Sequence, residues 1–181
     1  MFKVEHTFVN LPMKISMSYE LLKELRKLGN AIHTEYAFYL NEFDIINDDS
    51  DIYITIPYQE IIIPKQQVSI AEVTVKENIF ARISGHKHPD SVTHFSNTDL
   101  NGIAVNSQIS LLLCNNKIVR ALVKIADNSL FGSIFTETED ITYYKEKGVD
   151  TSINADKVDE LKDKIDIITP KYTRYDYIGL P

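Results

Sequence analysis

The chain has 181 residues, 44% of them hydrophobic and 25% charged, with only 6 glycines and 6 prolines, a composition that points to one ordinary globular domain and excludes collagen-like, low-complexity and disordered readings. Lys+Arg 19 against Asp+Glu 26 gives a net charge of −7 with no basic stripe, so the counterion release that drives nucleic-acid binding is missing and neither nucleic acid nor an anionic membrane is expected as a partner. The single cysteine, Cys114, excludes an internal disulfide and a Cys-based zinc site, which leaves any metal to His and carboxylate.

Phe2, Val4 and Phe8 alternate with Lys3, Glu5 and Thr7 and predict a half-buried strand in the first ten residues. The same segment has charges at positions 3 and 5 and no apolar h-region, and no stretch approaches 18 apolar residues, so a soluble, cytoplasmic protein is expected. A helix follows, with Ser18 as N-cap, Leu21, Leu22, Leu25 and Leu28 on one face, and Gly29 as its stop. Residues 32–40 predict a strand that ends in an acidic, solvated turn over 41–51. Asp44, Asp48, Asp49 and Asp51 lack the central Gly and terminal Glu of a calcium-binding EF-hand loop, so we read a solvated charge run there.

Between residues 52 and 84 the runs IYITI, EIII, VSIAEVTV and IFARIS predict three or four strands, broken by Pro57, Pro64 and residues 76–78. A short helix is expected over 99–107. QISLLLC and IVRALVKIA form a hairpin about Asn115-Asn116-Lys117, LFGSIFTE is a further strand, and Val158, Leu161 and Ile165 mark an acidic helix over about 155–167. The tail 171–181, with Tyr172, Tyr175 and Tyr177, is read as packing back on its own sheet in preference to docking on a partner. The expected fold class is α/β: a single domain over 1–181 with one mixed β-sheet flanked by helices.

Three of the 5 histidines, His86, His88 and His94, fall within nine residues, directly after the predicted strand that ends at Ser84. In extended backbone, residues i and i+2 project to the same side, so His86 and His88 can present two imidazoles to one metal ion. Pro89, Asp90 and Ser91 allow the chain to turn back, and Ser96 and Asp99 then arrive at a helix start. The string reads His86-x-His88, seven residues, Ser96-x-x-Asp99.

This string, with Pro89 after the second histidine, resembles the metal-binding motif of the JAMM (JAB1/MPN/Mov34) metalloprotease family, in its prokaryotic or viral form. As architecture the resemblance covers residues 15–135 and implies an MPN/JAB-like fold. It implies that His86, His88 and Asp99 bind a zinc ion with a water in the fourth position, that Ser96 helps to stabilise the oxyanion, and that an upstream glutamate takes the proton of the attacking water. Glu35 is assigned that role, with Glu42 and Glu60 as the alternatives; family members carry glycines after this glutamate, whereas no Gly lies between Gly29 and Gly85 here. The implied partner is a ubiquitin-like protein or its conjugates, cleaved after the C-terminal Gly.

Several residues carry a second reading. Ser96-Asn97-Thr98-Asp99 is also a helix capping box. Lys87, where the family often has Ser, sits near the metal or points to solvent. His94 lies off the motif spacing and reads as a surface or supporting residue, His33 either orients Glu35 or is a core histidine, and Cys114 in SLLLC reads as a buried thiol. A metal-free MPN-type scaffold and a peptidase of cell-wall peptides are the other functional readings. Oligomeric state is not encoded in any of these features.

Overall fold

The computed structural model describes residues 6–70, 72–102, 106–128, 132–149 and 155–168. Met13, Ile15 and Met17 alternate with Lys14 and Ser16 along β2 (Met13–Ser18), which runs directly into α1 (Tyr19–Ala31). The Ser18 side chain accepts from Leu21 N–H, and the predicted Leu21, Leu22, Leu25 and Leu28 are all buried. Gly29 does not stop the helix; it continues one more half-turn, and Ile32 N–H closes it on Leu28 O at 2.9 Å.

Among the described residues the strands form three sheets, where one was expected. The largest has six strands. β1 (Thr7–Phe8) pairs parallel with β11 (Gly132–Thr138), followed by β10 (Lys117–Asn128), β9 (Ile109–Cys114), β8 (Ile83–Lys87) and β3 (Tyr36–Leu40). β12 (Ile141–Tyr144), β2, β5 (Asp51–Ile56) and β4 (Asp44–Asp48) make the second sheet, and β13 (Ile165–Ile167), β6 (Gln66–Val68) and β7 (Val73–Val75) the third. β2 and β12 carried no assignment from the sequence. Among the described residues no helix is long and apolar enough to cross a membrane.

The departures from the sequence reading have local causes. Most of the expected acidic turn is strand: β4 pairs with β5, and the turn shrinks to Asp49-Ser50, with Asp49 at φ 27°. Every β4 residue is exposed, so no apolar face signalled it; charges on an exposed edge strand oppose edge-to-edge pairing. EIII contributes only a bridge from Ile62 to Tyr39, and VSIAEVTV is split between β6 and β7. The last strand of that group begins at Ile83 and runs through the first histidine. The C-terminal helix, α3 (Ala155–Lys162), stops before Ile165, because pairing with Gln66 draws that residue into β13. α2 is Asn97–Asn101, beginning two residues before the predicted 99–107; residues 103–105 of that range lie outside the described residues. At the N-terminus only Thr7–Phe8 is strand, and it is exposed; residues 1–5 and the tyrosine tail lie outside the described residues.

The expected hairpin forms, with a turn one residue shorter than Asn115-Asn116-Lys117 because Lys117 already pairs with Cys114; Asn115 and Asn116 have φ of 52° and 60°, the left-handed pair that a two-residue turn requires and that Asn tolerates. One face of the six-stranded sheet packs on α1 and the second sheet through Tyr36, Phe38, Leu40, Ile83, Leu111 and Leu113. The other face carries a smaller cluster, Leu122 and Phe135 under Phe95 and Leu100. That second cluster seats α2 on the sheet.

Candidate metal centre

β8 lies between β3, antiparallel, and β9, parallel. His86 is on β8, and the ladder extends one step beyond it, because His88 N–H donates to Leu113 O at 2.9 Å. His88 therefore stays extended and shares a face with His86. Both imidazoles are buried, 3% and 4% exposed. Ala37 pairs with His86 and is itself fully buried. Gly85 on the reverse face lets the Phe38 ring lie across the strand: a Cβ at Gly85 would stand 2.1 Å from Phe38 Cζ.

Asp99 comes from α2, whose flanking Phe95 ring packs 5.8 Å from the His86 ring. Asp99 Oδ1 lies 3.3 Å from His86 Nε2, Asp99 Oδ2 lies 3.1 Å from His88 Nε2, and the two Nε2 atoms are 2.9 Å apart. A tetrahedral zinc site with ligand bonds of about 2.0–2.1 Å has ligand-to-ligand edges of about 3.3 Å. The separations are of that order, though the two Asp99 edges use different oxygens; with one ligand atom from each residue, the three atoms lie within 4.8 Å of one another. His88 Nδ1 lies 3.2 Å from Val92 O and donates to it, so in the neutral ring Nε2 carries the lone pair a metal ion needs, and in the imidazolium Nε2–H donates to Asp99 Oδ2. His86 Nδ1 is buried with no hydrogen-bond partner among the described residues. The donor chemistry fits a divalent cation, and His86, His88 and Asp99 could hold one.

The same cluster is electrostatically coupled. Burial opposes ionisation of Asp99, but hydrogen bonds from His86, His88 and the Ser96 N–H outweigh it and hold the carboxyl well below the usual carboxylate range. Burial also opposes the His88 imidazolium, and there the Asp99 hydrogen bond and charge, helped by Glu35, raise its pKa.

Glu35 immediately precedes β3. Tyr36 pairs with Lys87 and Ala37 with His86, so one step back along the chain brings Glu35 beside His88. Both line a cleft of about 370 Å³, together with Gly29, Asn30, Thr34 and Ile70. Burial pushes the Glu35 carboxyl up to about 7; the nearby His88 charge lowers it and that of Asp99 raises it further. Glu42 and Glu60 are exposed and lie toward the other end of β3, where Leu40 pairs with Ile83 and Ile62 bridges to Tyr39. The register thus brings Glu35 to the histidines and leaves both alternatives away from them.

Ser96 is the N-cap of α2: its Oγ accepts from Asp99 N–H at 3.1 Å, and its own N–H donates to Asp99 Oδ2 at 2.7 Å. Lys87 lines the same cleft as Glu35 and His88. It projects to the opposite face from the histidines, and its Nζ donates to Gly29 O at 3.1 Å and Ile32 O at 2.8 Å, closing the C-terminal end of α1. His94 is exposed, and so is His33, which lines the cleft and is no core residue. Cys114 is buried, its Sγ donating to Pro89 O at 3.4 Å, and burial pushes the thiol up. The residues that sequence reasoning missed are those that hold the cluster: Val92 through its carbonyl, and Phe95 and Leu100 through packing. A pair of apolar residues flanking Ser96-Asn97-Thr98-Asp99 was the available signal for the last two. In comparisons with protein-family models and with curated proteins, nothing matches this chain.

Proposed function

We propose that this protein is a zinc-dependent peptidase or isopeptidase of the JAMM type, with His86, His88 and Asp99 as ligands, Glu35 as general base and Ser96 as oxyanion donor. The observation that carries the reading is the convergence of two buried imidazoles and one carboxylate at 2.9–3.3 Å, with a half-buried glutamate in the adjoining cleft. The glutamate segment beside the histidine strand, with α1 on the reverse face, also agrees with the MPN/JAB-like layout that the motif implies.

A zinc ion at these ligands supplies Lewis acidity, polarising a scissile carbonyl and acidifying a water. The remaining work belongs to the chain. The Glu35 carboxylate accepts a proton from the water that adds to the carbonyl carbon and returns it to the amine nitrogen as the C–N bond breaks. A carboxyl raised to about 7 by burial is suited to both halves of that transfer near neutral pH. Ser96 Oγ receives the Asp99 N–H and keeps its own proton for the oxyanion. The free, buried Cys114 fits a cytoplasmic setting, and the partner class we propose is a ubiquitin-like protein or its conjugates.

The test is incubation of zinc-loaded protein with ubiquitin-like fusions and an unrelated peptide library, with and without chelator, beside Glu35→Gln. Chelator-sensitive cleavage that Glu35→Gln abolishes is the expected result. Zinc-independent cleavage, or none in either substrate set, overturns the reading.

A further inference from the structure

Among the described residues, β3 is held by a strand only on its β8 side. On the outer side, at Ala37, the place of a neighbouring strand is taken by a side chain: Gln66 Oε1 accepts Ala37 N–H at 2.7 Å, and Gln66 Nε2 donates to Ala37 O at 3.0 Å. These two bonds reproduce the double hydrogen bond of a β-ladder pair. The second amide proton goes to Pro64 O at 3.1 Å, so both Gln66 amide protons and its carbonyl oxygen are engaged. Gln66 is 2% exposed, and β6 is itself paired to β7 at Val75 and to β13 at Ile165. The amide is thus anchored by a sheet of its own.

Its position relates it to the candidate centre. Ala37 is the residue that pairs with His86 and lies two residues from Glu35. The next outward-facing pair along β3 is Tyr39, already bonded to Ile62 through backbone at 2.8 and 3.0 Å. Among the described residues, Gln66 is therefore the last attachment on the outer side of β3 before Glu35. Without it, the segment that carries the glutamate is restrained on one side only.

We infer that Gln66 is a positioning residue: by clamping Ala37 it fixes where Glu35 stands relative to His86, His88 and Asp99. The inference rests on the proposed reading of that cluster as a metallopeptidase centre. A merely structural glutamine would satisfy the Ala37 backbone and stabilise the joint between two sheets. A positioning glutamine must also act through Glu35, and a double-mutant cycle separates the two.

The experiment compares the full-length wild type with Gln66→Met, Gln66→Glu, Glu35→Gln, the double variant Gln66→Met/Glu35→Gln, and Val68→Ala. The last loosens β6 at a buried side chain without touching the amide. Zinc affinity is measured by competition with a chromophoric chelator, exchange of the Ala37 amide by NMR, and turnover by kcat and KM separately. Glu35 contributes its charge beside the ion, so Glu35→Gln and Gln66→Met should each weaken zinc by about fivefold, while the double variant binds no more weakly than Glu35→Gln alone. Gln66→Met should expose the Ala37 amide to exchange and lower kcat by about tenfold or more with KM within about twofold. Gln66→Glu, which keeps the acceptor for Ala37 N–H, should fall between. Additive losses of zinc affinity, wild-type affinity in Gln66→Met, or an equal fall of kcat in Val68→Ala overturns the inference. A wild type that binds zinc but cleaves nothing defeats the proposed function, and the zinc-affinity cycle still decides the clamp; a wild type that binds no zinc overturns both.

Discussion

Asp99 and Ser96 bond one another twice, Asp99 N–H to Ser96 Oγ at 3.1 Å and Ser96 N–H to Asp99 Oδ2 at 2.7 Å. The same carboxylate faces His86 through Oδ1 and His88 through Oδ2. One reciprocal cap therefore starts α2 and aims the Asp99 carboxylate at the two histidines, so the capping and site readings of this tetrapeptide draw on the same set of bonds.

Ser96→Ala removes the cap hydroxyl while leaving the Ser96 backbone N–H on Asp99. Loss of the cap should lower stability by about 1 kcal/mol. Loss of an oxyanion donor should cost roughly 3 kcal/mol of transition-state stabilisation, about a hundredfold in kcat, with zinc retained. Thermal melts and kinetics on the same preparation read the two effects apart. Near-normal turnover beside the stability loss would restrict Ser96 to the cap.

His86→Ala, His88→Ala and Asp99→Asn should each lose stoichiometric zinc, because two remaining ligands are too few to hold the ion. Elemental analysis of purified protein decides this. His86→Ala or His88→Ala protein that keeps full zinc content removes that residue from the ligand set.

Glu35→Gln should retain zinc in stoichiometric amount, retain the fold, and lose activity by about a hundredfold or more, as loss of a positioned general base does. Glu42→Gln and Glu60→Gln should turn over at nearly the wild-type rate, since the β3 register carries both away from the histidines. If either control falls as far as Glu35→Gln, the base is misassigned.

The candidate centre was legible in sequence because its chemistry is local: His86, His88, Ser96 and Asp99 lie within one turn-and-cap segment whose spacing sets their geometry. Glu35 was harder to choose, since the signal that separates it from Glu42 and Glu60 is a register between β3 and β8 that no single segment encodes. The Gln66 clamp had only a faint trace, a polar residue sharing a strand face with the buried Val68. Sheet count failed for the same reason. β13 forms because Ile165 meets Gln66, ninety-nine positions earlier, and that pairing overrides the helical spacing of Leu161 and Ile165. β4 escaped because exposed Ile45 and Ile46 among aspartates carry no one-sided pattern. By contrast, α1 and the Asn115-Asn116 hairpin were read correctly from a cap, an apolar stripe and a two-residue turn.

Gly85 tests how closely β3 and β8 must approach. A Cβ there would stand 2.1, 2.4 and 2.6 Å from three atoms of the Phe38 ring, so either the ring or the strand must move. Gly85→Ala should destabilise the protein by about 2 kcal/mol, the scale of overpacking a filled core. Adding Phe38→Leu should recover part of that loss. Urea unfolding of the single and double variants measures it, and a Gly85→Ala protein of wild-type stability would show that the ring yields without cost.

Substrate choice must come from the approach to the centre, since a polarising ion acts on any carbonyl held against it. An extended peptide could be bound by adding to a free strand edge, but β3 does not offer one: Gln66 occupies Ala37 and Ile62 occupies Tyr39. On the proposed function the peptide would enter through the cleft of about 370 Å³ between the end of α1 and Glu35, which Ile70 lines at 69% exposure. Glycines at the scissile position allow close backbone approach in so confined a space, and an exposed isoleucine offers an apolar contact to the residues before them. We therefore expect cleavage after the terminal Gly of a ubiquitin-like protein extended by a short peptide or joined to an amine. Replacing that Gly with Ala should reduce kcat/KM by about tenfold or more, and Ile70→Ser should raise KM with kcat little changed. Chelator-sensitive cleavage of an unrelated library with no preference for glycine-ended tails would remove the ubiquitin-like assignment and leave the metallopeptidase reading in place.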